Sequence, residues 1–252
     1  MLRQVYDATW GRAFAMGYDR VLEASEQAGL RDLRRETLSE ATGRTLEIGA
    51  GTGLNHDLYT EAVTELVLTE PFEPMARQLR AKVMVRCSPE SHPCGARPIG
   101  DRPALLRQRS GCAPPQRGVE VVEAPAERLP FPDDGFDTVV VTLVLCTVED
   151  PAQALREIAR VLKPGGRLLF LEHVRAEEPR LARWQDRLHG PWYVLGHGCH
   201  CNRDTLATIG ASPLEVERAV RGRIPKAAPL VRPLLRGSAT LAPGESTTGG
   251  AA

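Results

Sequence analysis

Residues 46–53 read Leu-Glu-Ile-Gly-Ala-Gly-Thr-Gly. An acidic residue closes an apolar strand, and three glycines follow in Gly-x-Gly-x-Gly spacing. Gly49, Gly51 and Gly53 let the backbone turn sharply and approach a ligand with no Cβ in the way. Glu70 ends the next apolar run, about twenty residues on, where a doubly wound fold hydrogen-bonds the ribose hydroxyls of an adenosine cofactor.

Two cofactors compete for such a loop. A dinucleotide site prefers Gly-x-Gly-x-x-Gly, with its pyrophosphate at a helix N-terminus. Here the third glycine comes one residue earlier, and Glu47 places a negative charge beside the loop. That charge suits a cationic amino-acid moiety better than a phosphate, so the loop favours S-adenosylmethionine over NAD. His173 falls at the end of another apolar run, on the edge where open α/β sheets bind ligands. It is a candidate to orient or deprotonate an acceptor.

The elements that position these residues alternate strand and helix, the pattern of a parallel sheet covered on both faces. The runs predict strands over 44–48, 65–69, 119–123, 136–142 and 167–173. Helices are predicted over 75–83, 151–162, 177–190 and 203–210, and Leu54 is able to start another. Residues 214–221 and 230–236 are predicted to close the sheet as an antiparallel pair. The expected fold is therefore α/β, a Rossmann-like, doubly wound, mostly parallel sheet with an antiparallel last strand. Tyr6, Trp10, Phe14 and Tyr18, spaced four apart, predict an aromatic stripe on an N-terminal helical cap over residues 1–40. The main domain is expected over 41–236. Residues 85–118, rich in proline and arginine, are expected to be a disordered insertion, and 237–252 a disordered tail.

Acids and bases balance at 32 each among 252 residues, so no global field recruits nucleic acid. No apolar run reaches the roughly 18–20 residues needed to span a bilayer, although peripheral membrane contact stays open. The first residues lack the apolar core of a signal peptide, and six cysteines in a chain of this length form no disulfide framework. A cytoplasmic protein is the expectation, with free thiols. No metal site is expected. Cys87, His92, Cys94 and Cys112 match no common ligand spacing, and His197, Cys199, His200 and Cys201 are too close in sequence to converge on one ion.

The glycine loop, Glu70-Pro71, Ala126-Glu-Arg-Leu-Pro-Phe131, Asp134–Val140, Glu157–Gly166 and Leu168–His173 follow one another in order. On these blocks the chain resembles the class I S-adenosylmethionine-dependent methyltransferases. It resembles the small-molecule branch with the type 11 domain, which includes the ubiquinone/menaquinone and phosphatidylethanolamine methyltransferases. The segment Trp184–Arg203 is also similar, over a short stretch, to thiol methyltransferases. The resemblance implies that Glu47, Gly49, Ala50, Gly51, Thr52 and Gly53 surround the methionine moiety and that Glu70 holds the ribose. It further implies that Pro71, Met75, Ala126 and Glu127 border the adenine, while Thr142 and Leu143 line the floor. Tyr6, Trp10, Tyr18, Trp192 and Cys199 are then candidates to line the acceptor pocket, with His173 as the catalytic candidate. The implied partner is a small, apolar methyl acceptor: a thiol, a quinone or phenol, or a lipid headgroup. The alternatives are a cofactor-binding protein without turnover and a nicotinamide-dependent oxidoreductase. Oligomeric state is not legible.

Overall fold

The structure is a computed structural model and describes residues 7–86 and 118–242. Expectations for Tyr6, for residues 87–117 of the insertion and for 243–252 of the tail lie outside the described residues. Among those described, seven strands form one sheet: β1 (Gly43–Ile48), β2 (Val63–Thr69), β3 (Gly118–Val122), β4 (Phe136–Thr142), β5 (Leu162–His173), β6 (Leu214–Arg223) and β7 (Pro233–Leu241). Their order is β3-β2-β1-β4-β5-β7-β6. The first five pair in parallel, and β7 runs antiparallel to both β5 and β6. The doubly wound fold with an antiparallel strand is therefore present as expected.

Alternation along the strands assigns the two faces. Leu46, Ile48, Val139, Val141, Leu168 and Phe170 point to one side, where Leu155 and Ile158 of α4 (Pro151–Val161) cover them. Leu66, Leu68, Val140 and Leu169 point to the other, under Leu79 and Val83 of α3 (Glu73–Arg86) and Leu38 of α2 (Arg31–Leu38). Each such side chain, fully buried, contributes about 1.5–3 kcal/mol. Helix α4 starts as its sequence specifies, with Asp150 accepting from Gln153 N at 2.9 Å and Pro151 in the first turn. Two further helices follow β5: α5 (Pro179–Leu195) and α6 (Thr205–Gly210). Helix α5 continues through Pro191, past the expected end at 190, and Trp192 there packs on a cluster of buried cysteines.

The cap consists of α1 (Arg12–Ser25) and α2, with a five-residue π-type turn, Asp7–Gly11, before α1. A second such segment, Glu26–Leu30, joins the helices and bends at Gly29, whose φ is 125°. The wider first turn takes more residues per revolution than an α-helix. It breaks the aromatic stripe: Trp10 is 40% exposed, whereas Phe14 and Tyr18 stay together with ring centroids 5.5 Å apart.

Three expectations need correction. No regular helix starts at Leu54; residues 51–58 form successive turns, with Leu58 N bonding Asn55 O at 2.8 Å. The side chains of Asn55 and Tyr59 turn inward to Glu47 from these turns. The second correction concerns β5, which starts at Leu162 and not at 167, though Lys163–Gly166 bulge from the ladder and regular pairing resumes at Arg167. Finally, the boundary at 236 falls inside a strand, because β7 continues to Leu241. Gly237 was read as the start of a tail, yet a Cβ there would lie 1.8 Å from the Arg218 carbonyl oxygen and 2.8 Å from Phe170. The glycine is required because β6 bulges toward β7 between Val216 and Arg218.

Substituting Gly237→Ala is accordingly expected to lower stability by about 1–3 kcal/mol, read as a shifted urea midpoint with an unchanged m-value.

Candidate functional site

The glycine loop leaves the carboxyl end of β1 with all three glycines at positive φ, 63° at Gly49, 57° at Gly51 and 84° at Gly53. A Cβ on Gly49 would strike Val144 at 2.7 Å, and one on Gly53 would strike Leu79 at 2.8 Å. At Gly51 the nearest atom is the Met75 sulfur at 3.9 Å, so the loop opens to a ligand at its centre. The loop is tied to β2 by Ala50 N bonding Thr69 O at 2.8 Å. Glu70, 5% exposed, accepts from Gly51 N and from Phe72 N, each at 2.8 Å. Burial raises its pKa against those two bonds. A carboxylate offers about four lone-pair directions, so two remain for a pair of vicinal hydroxyls.

Glu47 lies under the loop, 1% exposed, and accepts from Asn55 Nδ2 and Tyr59 OH, each at 2.8 Å. Burial pushes its pKa up to about 7 despite those two donors. Asn55 Nδ2 also donates to Thr142 Oγ1 at 2.9 Å, at the end of β4. From the cap, Arg34 Nη1 donates to Asn55 Oδ1 at 3.1 Å and to Thr142 Oγ1 at 3.2 Å, while its Nε pairs with Glu26 at 2.9 Å. Thr52 Oγ1 donates to Asp19, which pairs with Lys82 at 2.8 Å. The cap is thus bolted to the loop by polar contacts. Between them is a cavity of only about 20 Å³, lined in part by Tyr18, Arg34, Gly51, Thr52, Asn55 and Thr142. Tyr18 is pushed up to about 12 by burial and is neutral there.

The remaining expected residues divide. Met75 is buried beside the loop, Pro71 is exposed and Ala126 packs in the core beneath β2. Glu127 turns away from the loop: its Oε1 accepts from Glu149 N at 2.8 Å and from Asp150 N at 3.3 Å. Leu143 takes a positive φ of 60° and packs with Leu30 and Leu171 under the cap. Trp10 points outward, whereas Trp192 and Cys199 pack together with Cys146 and Cys201.

His173 does sit at the carboxyl edge, and its surroundings were not foreseen. Its Nδ1 is 3.8 Å from Cys146 Sγ and 3.7 Å from Cys199 Sγ. The three ligand atoms lie within 4.8 Å of one another. Sequence spacing pairs none of these three with another, and the fold draws them together from separate segments. Next to His173, Glu172 is fully buried and accepts from Val144 N, Leu145 N and Cys146 N at 2.9, 3.0 and 3.3 Å. Burial pushes it up to about 7. An acid directly after the apolar run Leu168–Leu171 was its one signal in the sequence. Arg34 and Asn55 carried no signal at all.

Comparisons with known proteins follow the same lines. The family described as "Methyltransferase domain" matches residues 102–170. Thiol S-methyltransferase TMT1B of Homo sapiens is 30% identical over 213 residues, 79% of this chain and 75% of that protein. The TMT1B of Rattus norvegicus is 49% identical over 78 residues, so the match spans 31% of this chain and 32% of that relative. The ubiquinone/menaquinone biosynthesis C-methyltransferase UbiE of Hahella chejuensis is 50% identical over 68 residues, 27% of each chain. Among solved structures, a SAM-dependent methyltransferase of Thermotoga maritima superposes with a TM-score of 0.58 at 22% identity, covering 91% of this chain and 97% of the other. That likeness bears on the fold.

The Glu47 shift sets a pH dependence. A folded-state pKa of about 7 against 4.5 for the free side chain means the native protein holds the extra proton between those values. Stability from this group is full below pH 4.5 and falls as pH rises toward 7. A Glu47→Gln variant lacks that loss, so urea midpoints at pH 5 and pH 8 should show it gaining on the wild type as pH rises. A constant gap would refute the buried-carboxylate account.

Proposed function

The chain belongs to the class I S-adenosylmethionine-dependent methyltransferases, and we propose that it binds S-adenosylmethionine at the Gly49–Gly53 loop and methylates a small thiol. The observation that carries the cofactor reading is the Glu70 carboxylate beside Gly51, with spare acceptor directions and no Cβ in front of it. When bound, the cofactor supplies an activated methyl group on a sulfonium.

The residues of this chain then have three tasks. Glu70 orients the ribose of the adenosine, the open backbone at Gly51 lets the methionine moiety approach, and Met75 supplies apolar surface behind Gly51. Arg34 is placed to meet the cofactor's carboxylate, for it is the cation that reaches the Thr142 end of the cavity from the cap. Tyr18 and Phe14 of α1 exclude water once the cap is shut. The cavity holds little beyond a water, whereas small-molecule sites measure about 300–1,000 Å³. Helix α1 therefore has to shift to admit the cofactor, breaking the Asp19 contacts, while α2 stays anchored by Leu30 and Leu38 and the Arg34 side chain exchanges its partners for the ligand.

The similarity to TMT1B over most of this chain favours a thiol acceptor. A thiol is already a few per cent thiolate near neutrality and needs little help from a base. The UbiE match favours a quinol, but it covers 27% of the chain and says little about the acceptor side. The cytoplasm is the proposed compartment, where thiols stay reduced.

Calorimetric titration with S-adenosylmethionine and S-adenosylhomocysteine, with NAD as control, tests the cofactor. Micromolar binding of the first two is expected, weakened about 10–100-fold in Glu70→Ala, the cost of charge-assisted hydrogen bonds. Transfer of labelled methyl to 2-mercaptoethanol, and none to a short-chain quinol, would support the thiol reading; the reverse result would replace it with the quinol.

A further inference from the structure

We propose that Cys146, His173 and Cys199 form a binding site for a thiophilic divalent metal, zinc by preference, whose open fourth position takes the acceptor sulfur. The site rests on the proposed thiol reading for its role, though not for its existence. Two thiol sulfurs and a ring nitrogen come from three separate segments: the loop after β4, the end of β5 and the loop after α5. The Sγ···Nδ1 separations are 3.8 and 3.7 Å. Ligands on one tetrahedral zinc, with Zn–S near 2.3 Å and Zn–N near 2.05 Å, stand about 3.6 Å apart for S···N and about 3.8 Å for S···S. The cluster, at no more than 4.8 Å across, needs only small side-chain adjustments to close on an ion.

The supports of the cluster are rigid. Glu172 holds the backbone of Val144–Cys146 through three N–H groups, and His200 N donates to Cys146 O at 2.7 Å. Arg203 Nη1 donates to Leu145 O at 2.6 Å. Cys199 follows Gly198, whose φ of 90° bends the chain inward, and Trp192 packs alongside. Both cysteines are buried and His173 is half-buried, so one side stays reachable. Three protein ligands with an open position is the arrangement of catalytic zinc sites, including those built from two cysteines and a histidine.

The cluster also lies on the proposed cofactor's side of the sheet. Val144, two residues before Cys146, is the side chain against which Gly49 packs. The step balances without a further reactant. An incoming thiol loses its proton to solvent as its sulfur bonds the metal. A sulfur lone pair then forms the S–CH₃ bond while the sulfonium C–S bond breaks, and its electron pair stays on the departing thioether. The methylated product, now a neutral and weaker ligand, leaves the metal.

The test uses the full chain, stripped with a chelator and kept reduced by a phosphine, titrated with Co²⁺. One ion per chain is expected, with thiolate-to-metal charge transfer and tetrahedral d–d bands, both abolished by Zn²⁺ displacement. Cys146→Ser and Cys199→Ser should each weaken binding by more than the about 10–100-fold that loss of an outer-shell partner costs; Cys201→Ala, in the same buried cluster, should bind as the wild type does. Adding 2-mercaptoethanol to the Co²⁺ protein should shift the d–d bands. Absence of charge transfer in the wild type, or its retention in both serine variants, overturns the site. An unshifted spectrum on thiol addition, or methyl transfer undiminished by chelation, overturns its role. Metal bound as described with no methyl transfer to any thiol would uphold the site and sink the proposed function instead.

Discussion

The buried Arg34 guanidinium is the contact on which the arrangement of the site depends, because a cation taken out of water must be matched by fixed partners. Glu26 neutralises it from within the cap through Nε, and Asn55 and Thr142 accept the two Nη1 protons from the glycine loop and from β4. Asn55 in turn occupies Glu47, which Tyr59 seals from the other side. One chain of hydrogen bonds thereby runs from the N-terminal helices through the loop into the centre of the sheet. Removing any member would leave a buried polar group without a partner, which costs about 1–3 kcal/mol for a neutral group and more for a charged one.

That network ties the cap, the loop and the sheet together, and with the cap seated on the loop the cavity between them is small. The turns after β1 keep the Asn55 and Tyr59 side chains pointing inward, and the loop then presents its glycines to a cap that sits directly on them. The two cap helices are held differently: α2 is anchored in the core by Leu30 and Leu38, whereas α1 is tied down largely by polar contacts, Asp19 to Thr52 and Lys82 and Gln78 Nε2 to Ala15 O at 2.9 Å. Polar contacts of this kind exchange readily with those a ligand offers, since their net worth in folding is modest.

On the other half of the sheet, the antiparallel β7 lets the chain return between β5 and β6, and it covers the edge of β5 along its length from Arg167 to His173. This fixes the height at which His173 emerges. Glu172, one residue earlier and on the opposite face, holds the loop after β4, so two successive side chains of β5 position Cys146 and meet it. Helix α5 and the loop after it then lower Cys199 onto the same point. The proposed acceptor side is thus built by the latter half of the chain and the proposed cofactor side mainly by the first half, with Val144 against Gly49 joining them.

The strands, the glycine loop and Glu70 were legible in the sequence by themselves because their causes are local. Apolar runs declare buried strands, and positions that must take positive φ declare themselves as Gly49, Gly51 and Gly53. The same local logic misread Gly237, where the glycine answers to a bulge in a neighbouring strand twenty residues earlier and not to a tail. It was silent on Arg34, which looks like any exposed arginine of a polar helix until the sheet lies beneath it. It separated Cys146, His173 and Cys199, which stand 27 and 26 residues apart in the chain. Only the tertiary structure decided these, because convergence depends on how strand order and loop length bring distant segments to one edge, and no local pattern encodes that distance.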